Sequence, residues 1–143
     1  MDLGERFSVA LHGTARAWRQ AVDRRLKYLG LSQASWLTIA VAARAPHPLS
    51  QSELADQLGV EGATMVAMVD RLVRAGLVNR EVQPSDRRVK RVVLTEAGYR
   101  LHHQVKAKAA TVRTELLAKV DRADLEAATR LLEALQSVID TVP

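Results

Sequence analysis

Apolar residues recur first at helical spacing. Phe7, Leu11, Ala15, Trp18, Val22, Leu26 and Leu29 follow in steps of three and four, predicting a helix over 5–29 with one apolar face. Gly30 ends it, and Ser32 is placed to cap a second helix over 33–44, whose apolar side holds Trp36, Leu37, Ile39, Ala40 and Ala43. Pro46 and Pro48 then force a break. In LSQSELADQLGV, Ser50 and Glu53 have the Ser-x-x-Glu spacing of a capping box. Leu54, Ala55 and Leu58 face inward, and Gly59 suits the left-handed residue after a helix. A further helix over 62–75 buries Met65, Met68, Val69 and Leu72 and stops at Gly76. Two short helices around a glycine-containing turn form a helix-turn-helix pattern.

The pattern then changes. LVNREV reads as a strand, QPSDRR as a loop and VKRVVL as the returning strand. Strand, basic loop and strand after a helix-turn-helix predict a winged lobe over 33–94. Thr95 caps a long helix over 96–119, with Leu101, Val105, Val112, Leu116 and Val120 on one face. Asp121 caps a last helix. Its Leu125, Ala128, Leu132, Leu135, Ile139 and Val142 form a heptad seam. The expected fold is mainly α with a small β wing: a winged helix-turn-helix lobe flanked by N- and C-terminal dimerisation helices (1–31 and 96–143), together one domain over 1–143. The lobe is too small to cover the apolar faces of those flanking helices. A second copy related by a two-fold axis would cover them, with Leu11, Leu125, Leu132, Leu135 and Ile139 in the interface. The alternative is packing of the same helices on their own lobe.

Composition sharpens this picture in three ways. Apolar residues make up 48% of the chain but aromatics only 3%, so the core is built of Leu, Val and Ala. With no cysteine, the chain has no disulfide, thiolate metal site or thiol switch. The first residues contain no apolar leader and no run is long enough to span a bilayer, so a cytoplasmic protein with no membrane partner is expected. The net charge of +5 is unevenly spread. Positions 71–91 hold seven cations against two acids, and 115–143 hold six acids against three cations, which places a polyanion-binding lobe beside a separate scaffold.

Catalytic patterns are absent. His12, His47, His102 and His103 form no His-Glu-x-x-His motif, and there is no phosphate loop or nucleophile elbow, so neither an enzyme nor a metal centre is expected. The chemistry lies in the cations. Arg88, near the expected tip, is the candidate for a DNA minor groove, which is narrow and negative. Arg87, Lys90 and Arg91 would hold phosphates. Asp86 would cap the turn or brace a guanidinium, and Asp70 would pair with a wing arginine. The plainer reading of this set is a solvated basic turn. The second helix of the pair would enter the major groove by its first turns, presenting Gly62, Ala63, Thr64 and Ala67, with Arg71 farther along. Ser50, Gln51 and Ser52 start the preceding helix, where side chains and free amides meet a backbone. For Ser50, capping is the main role.

The stretch from Trp18 to Gly98 resembles the MarR family of bacterial transcription regulators, and the SlyA branch in particular. SDRRVKRVVLTEAG (85–98) is its most specific part, and WRQAVDRRLKYLGLSQASW (18–36) is the part that is SlyA-like. The resemblance implies a nucleoid-associated homodimer whose two lobes read a pseudo-palindromic duplex and repress or activate nearby genes. It also implies release by a small aromatic or phenolic effector, in a pocket whose lining would include His12, Trp18, Arg19 and Trp36. The competing role for the tryptophans is plain core packing. Where many relatives carry a cation in the recognition helix, this chain has Ala67. Three alternatives remain at this point. They are a chromosome-shaping binder of low sequence specificity, a protein-interaction module, and a ligand-binding protein with vestigial DNA contacts.

Overall fold

The computed structural model describes residues 1–143. Helix α1 runs Leu3–Leu26, begun by a capping box in which Asp2 and Glu5 each accept the other's backbone amide, and a 3-10 turn (Lys27–Leu29) continues it to Gly30. Helix α2 spans Gln33–Arg44 behind the Ser32 cap. Strand β1, Leu49–Ser50, leads into α3, Gln51–Leu58, which closes on left-handed Gly59. Helix α4 spans Gly62–Arg74, β2 Val78–Gln83, β3 Asp86–Leu94, α5 Glu96–Leu117 and α6 Arg122–Thr141. The helix periods in the sequence therefore located every helix to within a few residues, because most are followed by a Gly or Pro; α5, followed by neither, ends at Leu117, two residues short of the expected 119.

The hairpin departs from expectation. The loop expected over 83–88 shrinks to the two turn residues Pro84 and Ser85, so Arg87 and Arg88 belong to β3 rather than to a loop. The strands stay paired because the register slips. Val82 faces Lys90 and the next β2 residue, Gln83, faces Asp86, leaving Arg87, Arg88 and Val89 with no partner across the ladder. Strand β1 was also not anticipated. Two residues are too short to show a period, yet they add a third strand in the order β1-β3-β2, with Leu49 opposite Val92 and Ser50 opposite Arg91.

The chain packs as two compact units, Met1–Ala110 and Thr111–Pro143. In the first, the winged lobe closes over a core of Ile39, Leu49, Leu54, Ala55, Met65, Met68, Val69, Leu72, Val78, Val92 and Leu94. These are the inward residues of α2, α3 and α4 meeting the inward face of the sheet. Entry into α5 is fixed at Gly98, where an added Cβ would collide with the Leu77 carbonyl oxygen. The Thr95 hydroxyl ties that junction, donating to the Gly76 carbonyl at 2.7 Å and accepting from the Gly98 amide at 3.1 Å. In the second unit, α6 starts at the Asp121 cap. Its seam is not closed within the chain: Leu125 and Leu135 are half-buried, while Leu132 and Ile139 stay 43% and 55% exposed.

Candidate nucleic-acid interface

Helix α4 opens towards solvent with small residues. Glu61, Gly62, Ala63, Thr64 and Ala67 are all exposed. Glu61 makes no side-chain cap, so the first backbone amides of α4 are not claimed by their own N-cap. Free amides and a positive helix terminus suit a phosphate oxygen, and the absence of bulk lets one approach. Arg71, two turns along, is exposed, with Nη2 3.8 Å from the Met68 sulfur.

Residues at the start of α3 divide into two kinds. Ser50 is buried. Its hydroxyl accepts from the Glu53 amide at 3.1 Å, and the Glu53 carboxylate accepts from the Ser50 amide at 3.0 Å. The Ser50 amide, and after it the Ser50 side chain, holds the Glu53 carboxyl below the usual range. Ser50 is thus occupied in the cap and in β1, which removes it from the outward-facing set. Gln51 is half-buried and its Oε1 accepts from Arg80 Nε at 2.6 Å, whereas Ser52 is exposed.

Arg80 is the residue that inspection of the sequence missed. It sits on β2 with the same strand parity as core residue Val78, so its side chain turns towards the helices. There it donates to Gln51 on α3 and, through Nη2, to the Val66 carbonyl at 3.2 Å, and it forms an ion pair with Asp70 of α4 at 2.6 Å. One guanidinium thus joins both helices of the pair to the hairpin. The wing arginine that pairs with Asp70 is thus Arg80, at the base of the hairpin. A signal was present: a cation at an inward strand position needs an anion within reach, and Asp70 on α4 supplies one.

At the far end of the hairpin, Asp86 Oδ1 accepts from the Arg88 amide at 3.0 Å and from Arg88 Nε at 3.2 Å. Oδ2 takes Nη2 at 3.3 Å. The guanidinium contact, with the amide bond second, holds the Asp86 carboxyl below its usual range. Arg88 remains 91% exposed despite that brace. Arg87 and Lys90 are exposed beside it. Arg91 is not comparable. It lies in the centre of the sheet between Ser50 and Glu81, half-buried, with Nε shut away from solvent and unpartnered.

The four expected pocket residues are not alike. His12 is exposed and its Nδ1 donates to the Ser8 carbonyl at 2.8 Å, one turn back on its own helix. Arg19 is exposed and Trp18 half-buried on the same helix. Trp36 is buried, its indole N–H bonded to Asp23 at 3.2 Å, so it acts as a wall tying α2 to α1. A crevice within the lobe is lined by other residues, among them Leu37, Thr64 and Met68.

A family model described as the MarR family matches residues 29–89, from the end of the 3-10 turn after α1 to β3. Among solved structures, the transcriptional regulator PA3341 is 38% identical over 95% of this chain and 99% of its own, with a TM-score of 0.85. A MarR-family transcriptional regulator from Rhodococcus sp. RHA1 is 25% identical over 96% of this chain and 95% of its own, with a TM-score of 0.81. CouR from Rhodococcus jostii RHA1, solved bound to p-coumaroyl-CoA, is 25% identical over 100% of this chain and 98% of its own, with a TM-score of 0.82. No helix of the chain is long and apolar enough to cross a membrane.

Proposed function

This chain belongs to the MarR family of transcription regulators, and from that premise we propose that it works as a two-fold homodimer gripping a pseudo-palindromic operator. In this reading α4 enters the major groove by its first turns, through Gly62, Ala63, Thr64 and Ala67. The hairpin follows the backbone, with Arg87 and Lys90 on phosphates and Arg88 in the minor groove. The observation that carries this is Arg88: a guanidinium 91% exposed at the end of a hairpin and aimed by Asp86 rather than left to wander. The exposed seam of α6, with Leu132 and Ile139, supports a second copy as its cover, joined by Leu11 of α1 and by Leu125 and Leu135.

The finer assignments rest on the residues alone. The SlyA-like branch is proposed on positions 18–36, and control of nearby genes, by repression or activation, on the family. A non-catalytic role is proposed on the absence of any catalytic constellation, and work at the nucleoid on the charge of the lobe. For an effector we propose a small aromatic or phenolic molecule between the long helices and the lobe. His12, Trp18 and Arg19 would approach it and Trp36 would form the wall behind. CouR's aromatic thioester supports that ligand class.

Selection of bound sites from random duplex, followed by footprinting and measurement of particle mass, tests the reading. The expected result is a two-fold site with half-sites about 34–36 Å apart, bound by a dimer, with affinity falling steeply as salt rises. A lone subunit indifferent to duplex at low ionic strength would end it. A second reading, a chromosome-shaping binder of low specificity, is favoured by Ala67, which is exposed and offers only a methyl to the groove. Selection that returns no shared sequence would decide for it.

A further inference from the structure

We propose that α4 reads its duplex through the C5-methyl groups of the major groove, with Val66 as the principal contact, and so accepts 5-methylcytosine where it accepts thymine. The inference rests on the proposed function, which sends the first turns of α4 into that groove. Ala63, Val66, Ala67 and Asp70 follow at helical spacing on the side away from buried Met65, Met68, Val69 and Leu72. Three of those four outward residues are aliphatic. Asp70 is the one that could accept from a cytosine amine, and its carboxylate is engaged by Arg80 at 2.6 Å. Arg80 is itself spent on Gln51 and on the Val66 carbonyl. Thr64 stands on the flank of this face, where it lines a crevice with Gln33 and Leu37 of α2. Arg71 and Arg74 come two turns or more along, where a helix entering by its N-terminus has passed the base edges and meets phosphates.

Val66 is the one large side chain among the aliphatic three, and it is 42% exposed. A β-branched side chain has one strongly preferred rotamer in a helix, so its two methyls are held in place before any duplex arrives. The Arg80 guanidinium, donating to the Val66 carbonyl at 3.2 Å, ties the backbone of the same residue to the hairpin. The result is a fixed apolar point one turn into α4. In the major groove the apolar group that a base edge presents is the thymine C5-methyl. Bringing the two together removes both from water, which is worth about threefold in affinity for each methyl covered. With Asp70 engaged, this face has little to offer the thymine O4 or the cytosine amine, so the methyl is what it distinguishes. 5-Methylcytosine carries that group on the same ring carbon.

The test replaces each thymine of the best selected site, in turn, by deoxyuridine, which lacks only that methyl, and reads binding by fluorescence anisotropy. The minor groove presents no C5-methyl, so direct contacts of the wing stay silent in this scan. One or two positions in each half-site are expected to weaken binding about threefold, and about tenfold when both half-sites are changed together. At such a position a cytosine–guanine pair is expected to bind about threefold more tightly with the cytosine methylated at C5 than without. Val66→Ala keeps the backbone carbonyl that Arg80 holds and removes no buried side chain, so the fold persists. In that variant the deoxyuridine penalty is expected to vanish at the position Val66 covers. Equal binding of thymine and uracil duplexes throughout would overturn the methyl reading and leave the proposed function standing. A penalty undiminished in Val66→Ala would trace it to altered duplex stiffness and remove Val66 from the account. Duplex bound with no shared sequence on selection would sink the inference and decide for the low-specificity binder. A chain indifferent to duplex at low ionic strength would end the proposed function and this inference with it.

Discussion

The hairpin holds two Arg–Asp pairs that differ in what the arginine is left free to do. At its base, Arg80 meets Asp70 at 2.6 Å, and the arginine side chain is only 26% exposed because Gln51 and the Val66 carbonyl share it. At its end, Arg88 meets Asp86 at 3.2 Å and stays 91% exposed. The first pair spends its donors inside the protein and fixes where α4 lies against the sheet. The second spends a few donors on aim and leaves the guanidinium facing solvent. An ion pair by itself therefore says little about role. The number of other partners and the exposure left over separate a brace from a probe.

That contrast is most sharply tested at Arg80. Arg80→Ala strips α3 and α4 of a shared donor and leaves Asp70 without its ion-pair partner. Folding stability is expected to drop by about 2 kcal/mol in urea titration. Duplex affinity is expected to fall about tenfold or more because the helix loses its seat. Arg80→Lys keeps the charge but not the fork that reaches three partners, and is not expected to restore either. Stability equal to the native chain's would break the distinction.

Arg88→Ala should separate the two measurements that Arg80→Ala moves together. Its side chain supports nothing in the fold, so stability is expected to stay within about 0.5 kcal/mol. Duplex binding is expected to weaken by about 1–3 kcal/mol, read by fluorescence anisotropy. A large loss of stability with intact binding would reverse the roles assigned to base and tip.

Asp70→Ala is a gentler cut at the base. Asp70 is 46% exposed, so its ion pair contributes on the order of 0–1 kcal/mol to folding. Arg80 keeps Gln51 and the Val66 carbonyl, so α4 should be loosened rather than released. A roughly threefold loss of duplex affinity is expected. Unchanged affinity would remove Asp70 from the account.

The same two pairs show what could be read from residue order. Asp86 and Arg88 are two apart at a turn, and their bracing was legible because local spacing decides it. The Ser50–Glu53 capping box was legible for the same reason, whereas the Asp2–Glu5 box that starts α1 was not anticipated. Arg80 and Gln51 are 29 positions apart and meet only when the sheet folds onto α3. Strand parity marks Arg80 as inward but does not say which anion waits there. Ser50 was legible as a cap, and the box with Glu53 is there; what residue order did not show is that pairing with β3 buries it, apart from its exposed neighbour Ser52. The length of β3 was misread because Arg87 and Arg88 look like loop. A register slip keeps them in the strand without ladder partners, and no period announces a slip.

Asp86 gives the finest test, through acid. Its carboxyl is held below the ordinary value of 3.8 by the Arg88 guanidinium and then by the Arg88 amide. The sign follows from linkage. A depressed folded pKa means that the ordering is fully present above the ordinary value and is lost as pH falls through the lower folded one. At neutral pH the brace is therefore saturated, and duplex affinity across pH 6–8 owes no variation to it. The Arg88 amide resonance should titrate with a midpoint below that of an ordinary aspartate, and Arg88→Ala should raise that midpoint by removing the larger cause. Asp86→Asn keeps an acceptor for the amide but drops the charge. It is expected to weaken duplex binding about twofold, less than any change above, because Arg88 can still reach the groove once aimed less strictly. A midpoint at or above 3.8 would mean that the tip is not braced in solution, and the difference between the two ends of the hairpin would then rest on exposure alone.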